Sequence, residues 1–193
     1  MSSTGSKGSM PLSQIISLCD QNISGQSPSL QEIENLSHVL ADQYRALKVD
    51  SPEPIPYGRY LAHQDPDDRY HLEMHIFSSD YEGSIHCHRT WGLFWVISGS
   101  LMFTDYLEAD GAFIPAKAGI LLPGSAASFY PPYADWHKVK TPPSDEQTLS
   151  LHIYGHGYDQ ETGEYVAEDG DVKSGKRGAF KDNELFLPYV KPA

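Results

Sequence analysis

The chain has 193 residues, 39% hydrophobic and 21% charged, which suits one soluble globular domain with a sizeable core and excludes a disordered polymer. A formal net charge of −12 argues against a nucleic-acid partner, because phosphate backbones are bound by clustered Lys and Arg. An anionic ligand would need a buried cation of its own on so acidic a protein.

Taken in chain order, the opening "MSSTGSKGSM" is Ser/Gly-rich without an apolar core and reads as a loose tail or expression remnant, residues 1–10. Leu12, Ile15, Ile16 and Cys19 recur at helical spacing. A second helical stripe runs through Leu30, Ile33, Leu36, Leu40 and Tyr44, with Ser27 or Ser29 as its cap. These helices, within residues 11–50, are expected to pack on the body of the domain formed by residues 51–193. Pro52, Pro54 and Pro56 then end helical structure.

From residue 51 the texture changes to short strands. They are predicted in "YGRYLAH", "RYHLEMHIF", "SIHCHR", "WGLFWVISGSLMFTDYLE", "AGILLP", "WHKVKT" and "LSLHIYG", separated by turn-rich "DPDD", "SDYEG", "SGS", "EADG", "PPYAD" and "PPSDE". Many short strands without intervening helices predict a mainly β fold, an antiparallel barrel or jelly roll preceded by two helices. The last segment, from Glu168, reads as a loop-rich wrap over the barrel, giving one domain overall. No apolar run approaches the roughly 18 residues that span a bilayer, so no membrane partner is expected. Cys19 and Cys87 are far apart with no secretory signal ahead of them, which predicts reduced thiols and a cytoplasmic location.

Four clusters carry chemistry. In "SIHCHR" a strand places His86 and His88 on one face and Cys87 on the other, so two imidazoles either pinch a metal or decorate a sheet. His137 in "ADWHKVKT" lies on a strand that a barrel can bring opposite. Three neutral imidazoles suit Fe, Ni, Cu or Zn and leave coordination positions open. In "SLHIYG", Ser150, His152 and Tyr154 share a face, either as a hydrogen-bonded relay or as a solvated row. In "YGRYL", Tyr57 and Arg59 share a face, and an inward Arg is suited to a bidentate carboxylate grip.

In this order and register the pieces resemble the thiol dioxygenases of the cupin superfamily, best known through cysteine dioxygenase. The resemblance runs from about Tyr57 to Tyr154, with two helices ahead as in that family. It implies a double-stranded β-helix holding non-haem Fe(II), with Ni as an alternative, through His86, His88 and His137. It also implies that Arg59 and Tyr57 bind a substrate carboxylate, and that Ser150, His152 and Tyr154 form a relay beside the oxygen site. The implied partners are a small thiol, L-cysteine first, and O2, with the chain a monomer or homodimer.

Several positions depart from that family. Cys87 stands where Asp is common, and is expected to pack away from the metal. No cysteine occupies residues 89–94, so Tyr154 is expected without a thioether crosslink. His75 stands where relatives usually have an aliphatic pocket residue and Phe77 where they often have an aromatic, so both are expected to line the substrate pocket unless His75 points outward, and His156 is an unexplained polar residue. "HRTWG" is reminiscent of relatives acting on mercaptopropionate-like thiols, whereas Arg59 favours cysteine; rare relatives carry cysteine on to a sulfonamide. Two other classes stay open: a cupin isomerase or hydrolase using Zn, Mn or Ni without O2, and a non-catalytic metal-binding sensor or binding module.

Overall fold

Helix α1 (Leu12–Asn22) and helix α2 (Leu30–Gln43) form where the apolar stripes place them. The structure is a computed structural model and describes residues 12–43, 55–132, 135–144 and 147–181. The N-terminal tail, Tyr44, Pro52, Pro54 and the chain from residue 182 lie outside the described residues. At the start of α2, the Glu32 amide donates to Ser29 Oγ (3.3 Å) and the Ser29 amide donates to Glu32 Oε2 (2.7 Å). This reciprocal capping box selects Ser29 over Ser27. Ile15, Cys19, Ile33, Leu36 and Leu40 are buried, while Leu30 is 49% exposed and leaves the stripe.

Among the described residues eleven strands come after the helices: β1 (Gly58–Gln64), β2 (Tyr70–Phe77), β3 (His86–Cys87), β4 (Gly92–Ser98), β5 (Leu101–Ala109), β6 (Ala112–Leu121), β7 (Ala126–Phe129), β8 (Trp136–Lys140), β9 (Thr148–Gly155), β10 (Thr162–Val166) and β11 (Val172–Lys176). They form two antiparallel sheets, ordered β1-β2-β9-β4-β7 and β11-β10-β3-β8-β5-β6. The non-sequential order is that of a jelly-roll barrel.

Period-two alternation assigns the faces of the first sheet. Leu72, Met74 and Ile76 of β2, Leu93, Trp95 and Ile97 of β4, and Leu149, Leu151 and Ile153 of β9 join the helix residues in one apolar cluster. The intervening residues face the barrel interior, where Phe77, Phe94, Val96, Phe103, Phe129, Val139 and Tyr154 form a second cluster. The helices therefore cover one face of this sheet and leave the other for a cavity.

Three expectations change. The segment read as a loop-rich wrap contains β11, which pairs with β10, and β10 in turn adds to β3. β6 begins at Ala112, well ahead of "AGILLP", and β7 forms in a stretch where no strand was predicted. The predicted strand at "SIHCHR" shortens to two residues, because the amides of His88 and Arg89 turn to the Asp135 carboxylate (3.0 and 3.3 Å) and Arg89 adopts φ 58°. Among the described residues no helix is long and apolar enough to cross a membrane.

Candidate metal centre

His86 on β3 pairs in register with His137 on β8, and His88 lies one pleat later. One ring nitrogen from each of the three lies within 4.8 Å of the others. Backbone carbonyls set two of the rings: Nδ1–H of His86 donates to Ser84 O and Nδ1–H of His137 donates to Asp135 O, each at 2.9 Å. A carbonyl can only accept, so the proton sits on Nδ1 and Nε2 keeps its lone pair. Nδ1 of His88 is buried without a hydrogen-bond partner.

Burial pushes the His86 pKa down to about 4, and burial followed by mutual repulsion holds His88 and His137 well below the ordinary range. All three are neutral at pH 7. Converging neutral imidazoles with two rings fixed through Nδ1 fit a divalent transition metal, which offsets the buried lone pairs. Asp135 arranges both flanks of the site, since its carboxylate holds the His88 turn and its carbonyl orients His137. The sequence offered no signal for it beyond its position two residues before His137.

Beside the three rings, β9 places Ser150, His152 and Tyr154 inward and buried. Ser150 Oγ lies 2.8 Å from His152 Nε2, and His152 Nδ1 lies 2.9 Å from Tyr154 Oη. Burial keeps His152 neutral and raises the Tyr154 phenol well above its ordinary range, so the hydroxyl stays protonated. The Tyr154 ring is 4.7 Å from that of His88 and stacks at 4.2 Å on Tyr158. Tyr158 lies in a loop with no periodicity to mark it.

Both groups open onto one cavity of about 530 Å³, which Tyr57, Arg59, His75, Phe77 and Tyr158 also line. Tyr57 is 54% exposed at its edge. His75 faces inward and stacks on His152 with centroids 3.8 Å apart. Cys87 packs on the opposite side of β3, with its Sγ 3.4 Å from Glu164 Oε2, and burial raises its thiol pKa to about 12. His156 pairs with Asp68 at the surface (2.7 Å).

Arg59 has its fork already engaged. Its Nε donates to Glu73 Oε2 (3.0 Å) and its Nη2 to Glu73 Oε1 (2.9 Å). The same carboxylate accepts from His71 Nε2 (3.0 Å) and His75 Nε2 (2.8 Å). Glu73 is fully buried. Burial alone would raise its pKa, but these partners outweigh it and hold the carboxylate far below the usual range. Sequence reasoning passed over Glu73, although His71, Glu73, His75 and Phe77 alternate along β2.

No family model matches the sequence. Among solved structures, the chain is similar to a cupin 2 domain-containing protein from Halorhodospira halophila (14% identity, 62% of this chain and 77% of that one, TM-score 0.45). It is also similar to a cupin superfamily protein from Desulfitobacterium hafniense (12%, 58% and 86%, TM-score 0.40). A third similarity is to the DMSP lyase DddQ from Ruegeria pomeroyi (14%, 52% and 47%, TM-score 0.40). Each overlap is partial and of low identity.

Proposed function

We propose that this protein is a metal-dependent thiol dioxygenase acting on a small carboxylate-bearing thiol, with L-cysteine the first candidate and a sulfinate the product. The observation that supports this reading is the meeting, on one cavity, of three neutral metal-competent imidazoles and the buried Ser150–His152–Tyr154 row. A metal-binding module without catalysis has no use for a phenol wired through a neutral imidazole at that position.

His86, His88 and His137 would hold the ion, Fe(II) first and Ni second. When bound, it supplies thiol activation and redox chemistry toward O2. The chain's own residues supply orientation and protons. If Ser150 Oγ–H donates to His152 Nε2, then His152 Nδ1–H donates to Tyr154 Oη, and the phenolic proton is free to donate into the cavity. A protonated Tyr154 thus presents a fixed donor to an oxygen atom developing negative charge. Phe94 and Phe129 pack against the His137 ring and Phe77 against the rings of His75 and His152, which limits water around them. The overall reaction balances without a further reductant, since RSH and O2 together give RSO2H.

The test is anaerobic loading with Fe(II), addition of cysteine or 3-mercaptopropionate, and admission of air, with O2 uptake and products tracked by mass spectrometry. Uptake with one O2 incorporated per sulfinate is the expected result. Turnover without O2 would assign the cavity to Lewis-acid chemistry instead, and metal and thiol binding without turnover would make it a binding module.

A further inference from the structure

The dioxygenase reading needs a cation for the substrate carboxylate, and Arg59 is occupied by Glu73 through the very pair of donors that would make a side-on fork. Its remaining terminal nitrogen donates to Gly178 O at 2.9 Å. A second anion there would compete with a fully buried carboxylate that three groups already satisfy. Two further cations line the cavity, Lys176 and Arg177, both from the β10–β11 hairpin region. Lys176 is exposed at the rim, whereas Arg177 is half-buried.

We infer that Arg177 is the carboxylate anchor of this cavity, a specificity-determining residue whose role rests on the thiol dioxygenase reading of the site. The guanidinium is held in place without being neutralised. Nε donates to the carbonyls of Asp159 (3.0 Å) and Thr162 (2.8 Å), and Nη2 donates to Cys87 O (3.3 Å). Cys87 lies between His86 and His88, so this last bond ties the guanidinium to the backbone of the metal-ligand strand itself.

One face of the guanidinium lies 4.6 Å from the Tyr158 ring centroid. Gly163 supplies the room on another side, since a Cβ there would fall 2.6 Å from Arg177 Cζ. The nearby acids are spent elsewhere: Glu164 pairs with Arg89, and the Asp159 carboxylate accepts from the amides of Glu161 and Thr162. Among the described residues no carboxylate pairs with Arg177. Of its five N–H groups, the Nε and one Nη2 hydrogen are used, which leaves an end-on fork formed by Nη1 and Nη2. That fork is a pre-organised match for a carboxylate. The segment from Glu168, read from sequence as a wrap, thereby contributes the ligand-selecting charge.

The experiment is anaerobic calorimetric titration of the Fe(II)-loaded protein with L-cysteine and with cysteamine, the same aminothiol without its carboxylate. Wild type should favour cysteine by about 30-fold or more. Arg177→Gln should level the two affinities by weakening cysteine alone. Gly163→Ala, which keeps the charge but displaces the fork, should lose part of the preference, and Lys176→Gln should keep it. Retention of the preference in Arg177→Gln, with its loss in Arg59→Gln, would overturn the inference and return the role to Arg59. Equal binding of both thiols by wild type would overturn it as well. Binding of neither thiol would remove the dioxygenase reading itself, a different failure that is seen before any variant is made.

Discussion

A buried carboxylate is costly unless its charge is compensated, and Glu73 is compensated from three sides, by Arg59, His71 and His75. His75 then stacks on His152, so the network sets the packing of the relay histidine as well. Glu73→Gln should lower the unfolding free energy by about 3 kcal/mol at pH 7, because it leaves Arg59 buried without its counter-ion. The pH dependence has a definite sign. The folded carboxylate titrates below its ordinary value of 4.5, so its stabilising contribution is complete above that pH and is lost as pH falls further. Denaturant titrations of wild type and Glu73→Gln should therefore differ most above about pH 5 and converge in acid.

Tyr154 behaves differently. Tyr154→Phe removes one hydrogen bond to His152 and should change stability by only about 1 kcal/mol. Oxygen-coupled turnover should fall by about 100-fold, a split that a purely structural tyrosine would not show. Stability by denaturant and steady-state O2 uptake on the same preparation measure the two effects.

At the level of elements, alternation within β2, β4 and β9 is what makes a cavity out of a sheet that helices cover on its other face. That alternation was readable in "SLHIYG", where a polar face alternates with an apolar one, but not in "WGLFWVIS", which is apolar on both faces. It was obscured in β10, whose five residues are all half-buried, and in β11, which is mostly exposed, so neither periodicity nor an apolar run marks them. β7 was hidden for a related reason, since its small residues Ala126, Ala127 and Ser128 come just after a Pro-Gly turn.

The close approach of β4 to β7 gives an element-scale prediction. A Cβ at Gly92 would meet Phe129 Cζ at 2.1 Å, and the Phe129 ring packs against His88 with centroids 5.1 Å apart. Gly92→Ala should cost about 1–3 kcal/mol and, by displacing that ring, should also weaken metal binding measured by competition with a chelator. Ser29→Ala offers the contrast. It should cost about 1 kcal/mol through loss of the helix cap, while metal affinity stays at the wild-type value.

For the molecule as a whole, the three histidines were legible as a set because a two-residue spacing on a strand is a geometric statement, and β8 supplies the third ring in register with His86. The partners that tune the cavity were not legible. Asp135, Tyr158 and Arg177 act there through contacts between segments distant in sequence, and the alternation of β2 that places Glu73 inward does not show which partners hold it. Arg59 illustrates the difference: the strand pattern placed it beside the cavity, but only the tertiary contact with Glu73 shows that its Nε and Nη2 donors are engaged.

The most direct measurement is the stoichiometry and affinity of Fe(II) for the metal-free protein under anaerobic conditions, compared with His86→Ala, His88→Ala and His137→Ala. One ion per chain is expected for wild type, with at least about a tenfold loss of affinity for each histidine removed. Failure of wild type to bind a divalent transition metal, or undiminished binding when any one of these imidazoles is missing, would contradict a metal centre at this place in the barrel.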